Sequence, residues 1–135
     1  MVEALRRTFD RIFRSHTAQP QGVVDEIRAF AKLPSGWNSH RAPTPTQTAI
    51  KAAIGVVELV ARRGGPMPSA SPTPSGGVAL VWELPALDAQ LLVDEDSFDF
   101  SVARRGHPKV TDQGSVSEMY EVEKRFIDRY LIVQH

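Results

Sequence analysis

The chain has 135 residues, of which 41% are apolar, a length and content that fit one domain able to bury most of its apolar surface. Sixteen basic and sixteen acidic side chains cancel, so no global field draws in a polyanion, and nucleic-acid contact requires a local patch. The complete lack of cysteine excludes disulfides, thiolate metal sites and cysteine nucleophiles, and makes the cytoplasm the default compartment.

In chain order, Val2, Leu5, Phe9, Ile12 and Phe13 recur at helical spacing opposite Arg6, Arg7, Arg11 and Arg14, predicting a first amphipathic helix with neither signal-peptide nor membrane-span character. A second helix is expected to begin near residues 20–22, with Val23, Val24, Ile27 and Phe30 as its buried stripe. The two together give a helical hairpin over residues 1–32. Residues 33–46 are rich in turn formers and read as an ordered loop. In it Trp37 is expected to be largely buried, packed on Ile50 or Ile54 and on a sheet face that includes Leu80 and Phe100. Thr44, Pro45 and Gln47 predict the cap of a long apolar helix that ends at Gly64 and Gly65 and lies across the sheet.

Period-two alternation predicts strands at residues 78–83 and 98–103, with a middle strand at 89–93. Residues 67–73 read as a proline-tolerant edge strand and residues 104–114 as a polar loop. Ser115 and Glu118 predict the start of a final helix over residues 115–132, whose apolar arc (Met119, Tyr120, Val122, Phe126, Ile127, Tyr130, Leu131) is broad enough to contact two sides. The expected fold is therefore a single α+β domain over residues 1–135. It comprises a helical hairpin (1–32), a loop and capped helix (33–65), a three- or four-stranded antiparallel meander (66–103) and a C-terminal helix (115–132).

About half of the chain, residues 33–102, also resembles a group of small bacterial proteins with no established activity. The likeness rests on LPSGWNSHRAPTPTQTAIKAA, on SPTPSGGVALVWE and on the acidic hairpin that follows. Their pattern is a Gly-Trp-Asp-Gly loop, a Pro-Thr-Pro-x-Gly-Gly turn and a strand ending in tryptophan; this chain has Asn38 and Ser39 where the pattern has aspartate and glycine.

No convergent catalytic set and no metal-ligand spacing stand out. His16, His40, His107 and His135 are scattered, and Asp94, Glu95, Asp96 and Asp99 form an acidic hairpin without the calcium-loop spacing. Neither a metal nor a cofactor is expected. The leading reading is a non-catalytic module that binds another protein or a second copy of itself, as an accessory, regulatory or neutralising partner. Its interface is drawn from Leu5, Phe9, Ile12 and Phe13 or from Tyr120, Phe126 and Tyr130. The loop residues Trp37, Asn38, His40 and Arg41 form a further candidate, since recognition residues favour loops on rigid scaffolds. The second reading is a nucleic-acid-binding autoregulator that uses Arg6, Arg7, Arg11 and Arg14. The third is a small hydrolase or metal enzyme built on Asn38, His40 and the acidic hairpin.

Overall fold

The alternation along residues 78–102 is realised as the centre of a five-stranded antiparallel sheet in a computed structural model that describes residues 19–115 and 119–132. Strands β1 (Ser69–Pro72), β2 (Val78–Glu83), β3 (Leu87–Val93), β4 (Ser97–Arg104) and β5 (Val110–Ser115) follow one another in a simple meander. Register places Val78, Leu80 and Trp82 opposite Val93, Leu91 and Ala89, and these in turn opposite Phe98, Phe100 and Val102. All nine side chains are buried, so the period of two delivers one continuous apolar face.

Among the described residues, three helical elements stand with the sheet. Helix α1 (Pro20–Ala29) ends in a 3-10 turn (Phe30–Lys32) and packs on α2 (Gln47–Arg62) and β1. Helix α2 is the most apolar and lies on β2 and β3, burying Ala49, Ile50, Ala53, Val56, Val57 and Val60. It stops as expected: the Gly65 N–H bonds to Val60 O at 2.9 Å and the Gly64 N–H to Ala61 O at 3.0 Å, the paired closure of a Schellman motif. Helix α3 (Met119–Val122) continues as a π-helical segment, Glu123–Leu131, in which the Ile132 N–H reaches back five residues to Ile127 O. The wider turn puts Val122, Phe126, Ile127 and Leu131 on one buried face. Phe126 packs edge-to-face on Trp82 at 5.4 Å and lies 4.9 Å from Phe100, while Arg63 at the end of α2 holds Glu123 and Asp128 at 3.2 and 2.6 Å. The C-terminal helix therefore meets both the sheet and α2.

Two expectations are corrected. The meander has five strands rather than three or four, because residues 110–115 form β5 where the sequence reads as the end of a polar loop. The inward positions of β5 are Val110, Asp112 and Gly114, set by their register against Val102, Phe100 and Phe98. Apolar alternation is missing there for physical reasons. Asp112 ion-pairs with Arg125 of the C-terminal helix, and a Cβ at Gly114 would lie 2.8 Å from Phe98 Cζ. The helix cap is Thr46, whose hydroxyl accepts from the Ala49 N–H at 3.1 Å. Thr44 instead donates its hydroxyl to Leu33 O at 2.6 Å, so a long-range bond takes the residue that the local pattern assigns to the cap. The helix expected over the first fourteen residues and the Glu118 half of the final capping box lie outside the described residues.

Gly114→Ala is expected to lower stability by about 1–3 kcal/mol, read from the urea midpoint, because the buried Phe98 ring has no room to withdraw. A second expectation concerns pH. The Arg125 guanidinium, followed by the Gln113 N–H, holds the Asp112 carboxyl below the ordinary carboxylate range. Since the folded carboxyl is the stronger acid, the pair stabilises fully above the unfolded pKa of about 3.9 and fades as pH falls through the lower folded value. Both side chains are more than a third exposed, so Asp112→Asn should remove no more than about 1 kcal/mol at neutral pH and flatten the acid limb of the stability profile.

Candidate functional site

An antiparallel meander sends alternate turns to opposite ends of its sheet. The β1–β2 turn at residues 73–77 and the β3–β4 turn at 94–96 share one end. The loop over residues 33–46 is tied to that same end, since the Thr46 N–H bonds to Gly76 O at 2.9 Å and a Cβ at Gly76 would lie 3.2 Å from Pro43 Cγ. Segments up to about sixty residues apart in sequence thus gather at one end of the sheet.

The turn is built from its own side chains. Thr73 Oγ1 accepts the Gly77 N–H at 2.9 Å and shares a hydrogen bond with the Ser75 hydroxyl at 3.0 Å, and Ser75 donates to Asp94 Oδ1, also at 3.0 Å. Gly77 tolerates no side chain, because a Cβ there would sit 2.2 Å from Val93 O. Asp94 of the acidic hairpin is thereby a tether between two turns.

The loop is pinned just as closely. The Gly36 N–H bonds to Ala42 O at 2.8 Å, Trp37 N–H to Pro34 O at 3.1 Å and Ser39 N–H to Gly36 O at 2.9 Å. Asn38 Oδ1 accepts from both His40 N–H and Ala42 N–H, at 2.8 and 3.1 Å. This wrap forces Ser39 and Arg41 to positive φ values of 66° and 67°, a region that costs an L-residue about 1–2 kcal/mol. The side chains of Ser39, His40 and Arg41 are exposed at the tip.

Trp37 departs from its expected place. It is half-buried, its Nε1–H donates to Pro43 O at 2.9 Å, and it stands outside the hydrophobic core cluster among the described residues. Trp82 fills the core instead, with its Nε1–H donated to Pro66 O at 2.9 Å. The bond to Pro43 explains why Trp37 stays at the rim: the indole N–H is satisfied by the loop's own backbone, so the ring braces the loop rather than entering the sheet.

Trp37, Asn38, His40 and Arg41 are thus gathered in one loop, which meets the β1–β2 turn through Pro43 and Thr46 at Gly76, while Asp94 of the acidic hairpin is tied to that turn by Ser75. The other expected residues fare differently. Phe126 is fully buried in the core and Tyr130 is half-buried at the far end of the C-terminal helix. Leu5, Phe9, Ile12 and Phe13, the arginines at 6, 7, 11 and 14, and the side chain of Tyr120 lie outside the described residues. Among the described residues no group of three or more His, Cys, Asp or Glu side chains is gathered closely enough to hold a metal ion, so His40 and the acidic hairpin form no such centre there. No helix among them is long and apolar enough to cross a membrane. The sheet face away from the described helices carries a shallow depression of about 560 Å³, lined by Leu92 and Phe100 as well as by polar residues such as Gln90, Ser101 and Thr111. No family model, curated protein or solved structure matches the chain.

The loop geometry gives a direct expectation. Ser39→Gly should raise stability by about 0.5–1 kcal/mol, since relief of the left-handed strain outweighs the entropy that glycine adds to the unfolded chain. Asn38→Asp should be tolerated because a carboxylate offers the same acceptor, whereas Asn38→Ala leaves two N–H groups unmatched and should cost about 1–3 kcal/mol. Chemical denaturation of the three variants checks the set.

Proposed function

We propose that the protein is a small non-catalytic module that binds another protein, as an accessory, regulatory or neutralising partner, through the pinned loop at residues 36–42. The observation that carries this reading is a half-exposed tryptophan on a loop whose conformation is already fixed by its own hydrogen bonds. Aromatic and arginine side chains dominate binding energy at protein interfaces. A loop held in place before binding loses little entropy on association, so the contact energy appears as affinity. Arg41 supports the same reading. Its backbone sits where glycine would be easier, its side chain is exposed, and it has no ion pair among the described residues.

The resemblance to small bacterial proteins fits within this proposal, and it concerns loop architecture rather than chemistry. Aspartate at position 38 would supply the acceptor that Asn38 supplies, and glycine at position 39 would relieve the φ that Ser39 adopts. Read in this way, the Gly-Trp-Asp-Gly pattern describes a backbone wrap that presents an aromatic ring.

The tagged 135-residue chain, cross-linked in cells and compared with Trp37→Ala and Arg41→Glu, tests the proposal. One partner species should be retained by the wild type and by Asp112→Asn. It should weaken by about 30-fold or more, some 2 kcal/mol, in each loop variant. Equal capture by all four proteins would sink the reading. Light scattering at two concentrations tells whether the species is a second copy of the chain.

A further inference from the structure

The turns at the opposite end of the sheet carry a second surface of different chemistry. Residues 100–111 hold Arg104, Arg105, His107 and Lys109 and neither aspartate nor glutamate. All four side chains are exposed, Arg104 at the end of β4 and the other three on the β4–β5 turn. The last turn of the C-terminal helix adds the exposed Arg129, and the guanidinium carbons of Arg104 and Arg129 each lie 5.7 Å from the centroid of the Tyr130 ring. Among the described residues none of Arg104, Arg105, Lys109 and Arg129 has an ion-pair partner.

We propose that this cluster is a binding site for the phosphodiester backbone of nucleic acid, with Arg104 and Arg129 gripping phosphate from either element beside Tyr130. Two like charges gathered round one ring repel one another until an anion lies between them, and the ring's negative face holds both in position meanwhile. Arginine forks match the tetrahedral oxygens of phosphate with paired hydrogen bonds. Four permanent cations on two elements call for several anions at short, regular intervals, which a nucleotide chain supplies. A lipid surface fits less well, because the exposed loop of Arg105, Gly106, His107, Pro108 and Lys109 has no large apolar side chain to insert. The cluster uses none of the residues of the pinned loop, and it stands independently of the protein-binding proposal.

Fluorescence anisotropy of labelled duplex and single-stranded oligonucleotides against the full chain, over a salt series from about 50 mM upward, tests it. Four phosphate contacts predict a log–log salt slope of about −3.6 on duplex and about −2.8 on single strands. Arg104→Gln with Arg129→Gln should bring that slope down by about half while the thermal melt stays unchanged. Arg105→Gln with Lys109→Gln, confined to the exposed turn, should do the same and guards against a folding defect in the first pair. Replacing the four N-terminal arginines by glutamine should leave the slope intact. Three outcomes overturn the site: no binding at the lowest salt, a slope unchanged in both double variants, or equal affinity for poly-glutamate or for anionic vesicles.

Discussion

The contact on which the architecture depends is the buried ring stack of Trp82, Phe126 and Phe100. Trp82 enters from β2, Phe100 from β4 and Phe126 from the C-terminal helix, so three elements distant in sequence close on one point at centroid separations of 4.9 and 5.4 Å. Rings at these distances gain a few tenths to about 1.5 kcal/mol per pair beyond the area they bury. Trp82 can be buried so deeply because its indole N–H has Pro66 O as a partner at 2.9 Å. That bond also fixes the chain between α2 and β1, and with it the entry to the whole meander. The stack continues outward through Phe100 to Tyr130 at 6.4 Å, so the ring that carries two arginines on the surface is anchored by the core itself.

Both tryptophans have their N–H satisfied by a proline carbonyl, yet their fates differ. Pro66 belongs to the connection between α2 and β1 and partners a Trp82 that is wholly buried, whereas Pro43 belongs to the same loop as Trp37 and keeps that ring at the rim. Burial of an indole is decided by where its partner sits, and composition is silent on that. Both residues follow or end a glycine- or strand-rich motif, so a sequence reading that seeks one core tryptophan has no local sign to choose between them.

Where one residue faces one neighbour repeatedly, the sequence was legible: β2, β3 and β4, α1, and the body and stop of α2 lie close to where periodicity places them. The edge strand β1 is legible too, since Pro72 suits a strand with one free side. β5 was not legible, because its inward face is completed from outside. Asp112 is rendered acceptable by Arg125, and Gly114 by the ring of Phe98. The candidate site was half legible. Gly36, Trp37 and Arg41 announce a loop of unusual chemistry, but its union with Ser75 and Asp94 depends on the meander's register, and the Asn38 wrap that gives Arg41 its φ is visible only in three dimensions.

The balance of sixteen acids against sixteen bases conceals an arrangement that topology produces unaided. In a meander, successive hairpins alternate between the two ends of the sheet. Asp94, Glu95 and Asp96 on the β3–β4 turn are therefore carried to one end, and Arg104, Arg105, His107 and Lys109 on the β4–β5 turn to the other. The eight residues of β4 separate the groups by about 26 Å at the usual strand rise of about 3.3 Å per residue. That exceeds the screening length of about 8 Å at physiological salt, so the two ends do not cancel in solution. The arginines and lysine of residues 104–109 thus stand beside Glu83 and Asp88 of the β2–β3 hairpin but far from Asp94, Glu95 and Asp96, although the chain as a whole is neutral. Net charge averages over a distance that the field does not cross, which is why any nucleic-acid contact of a neutral chain requires a local patch and not a global field.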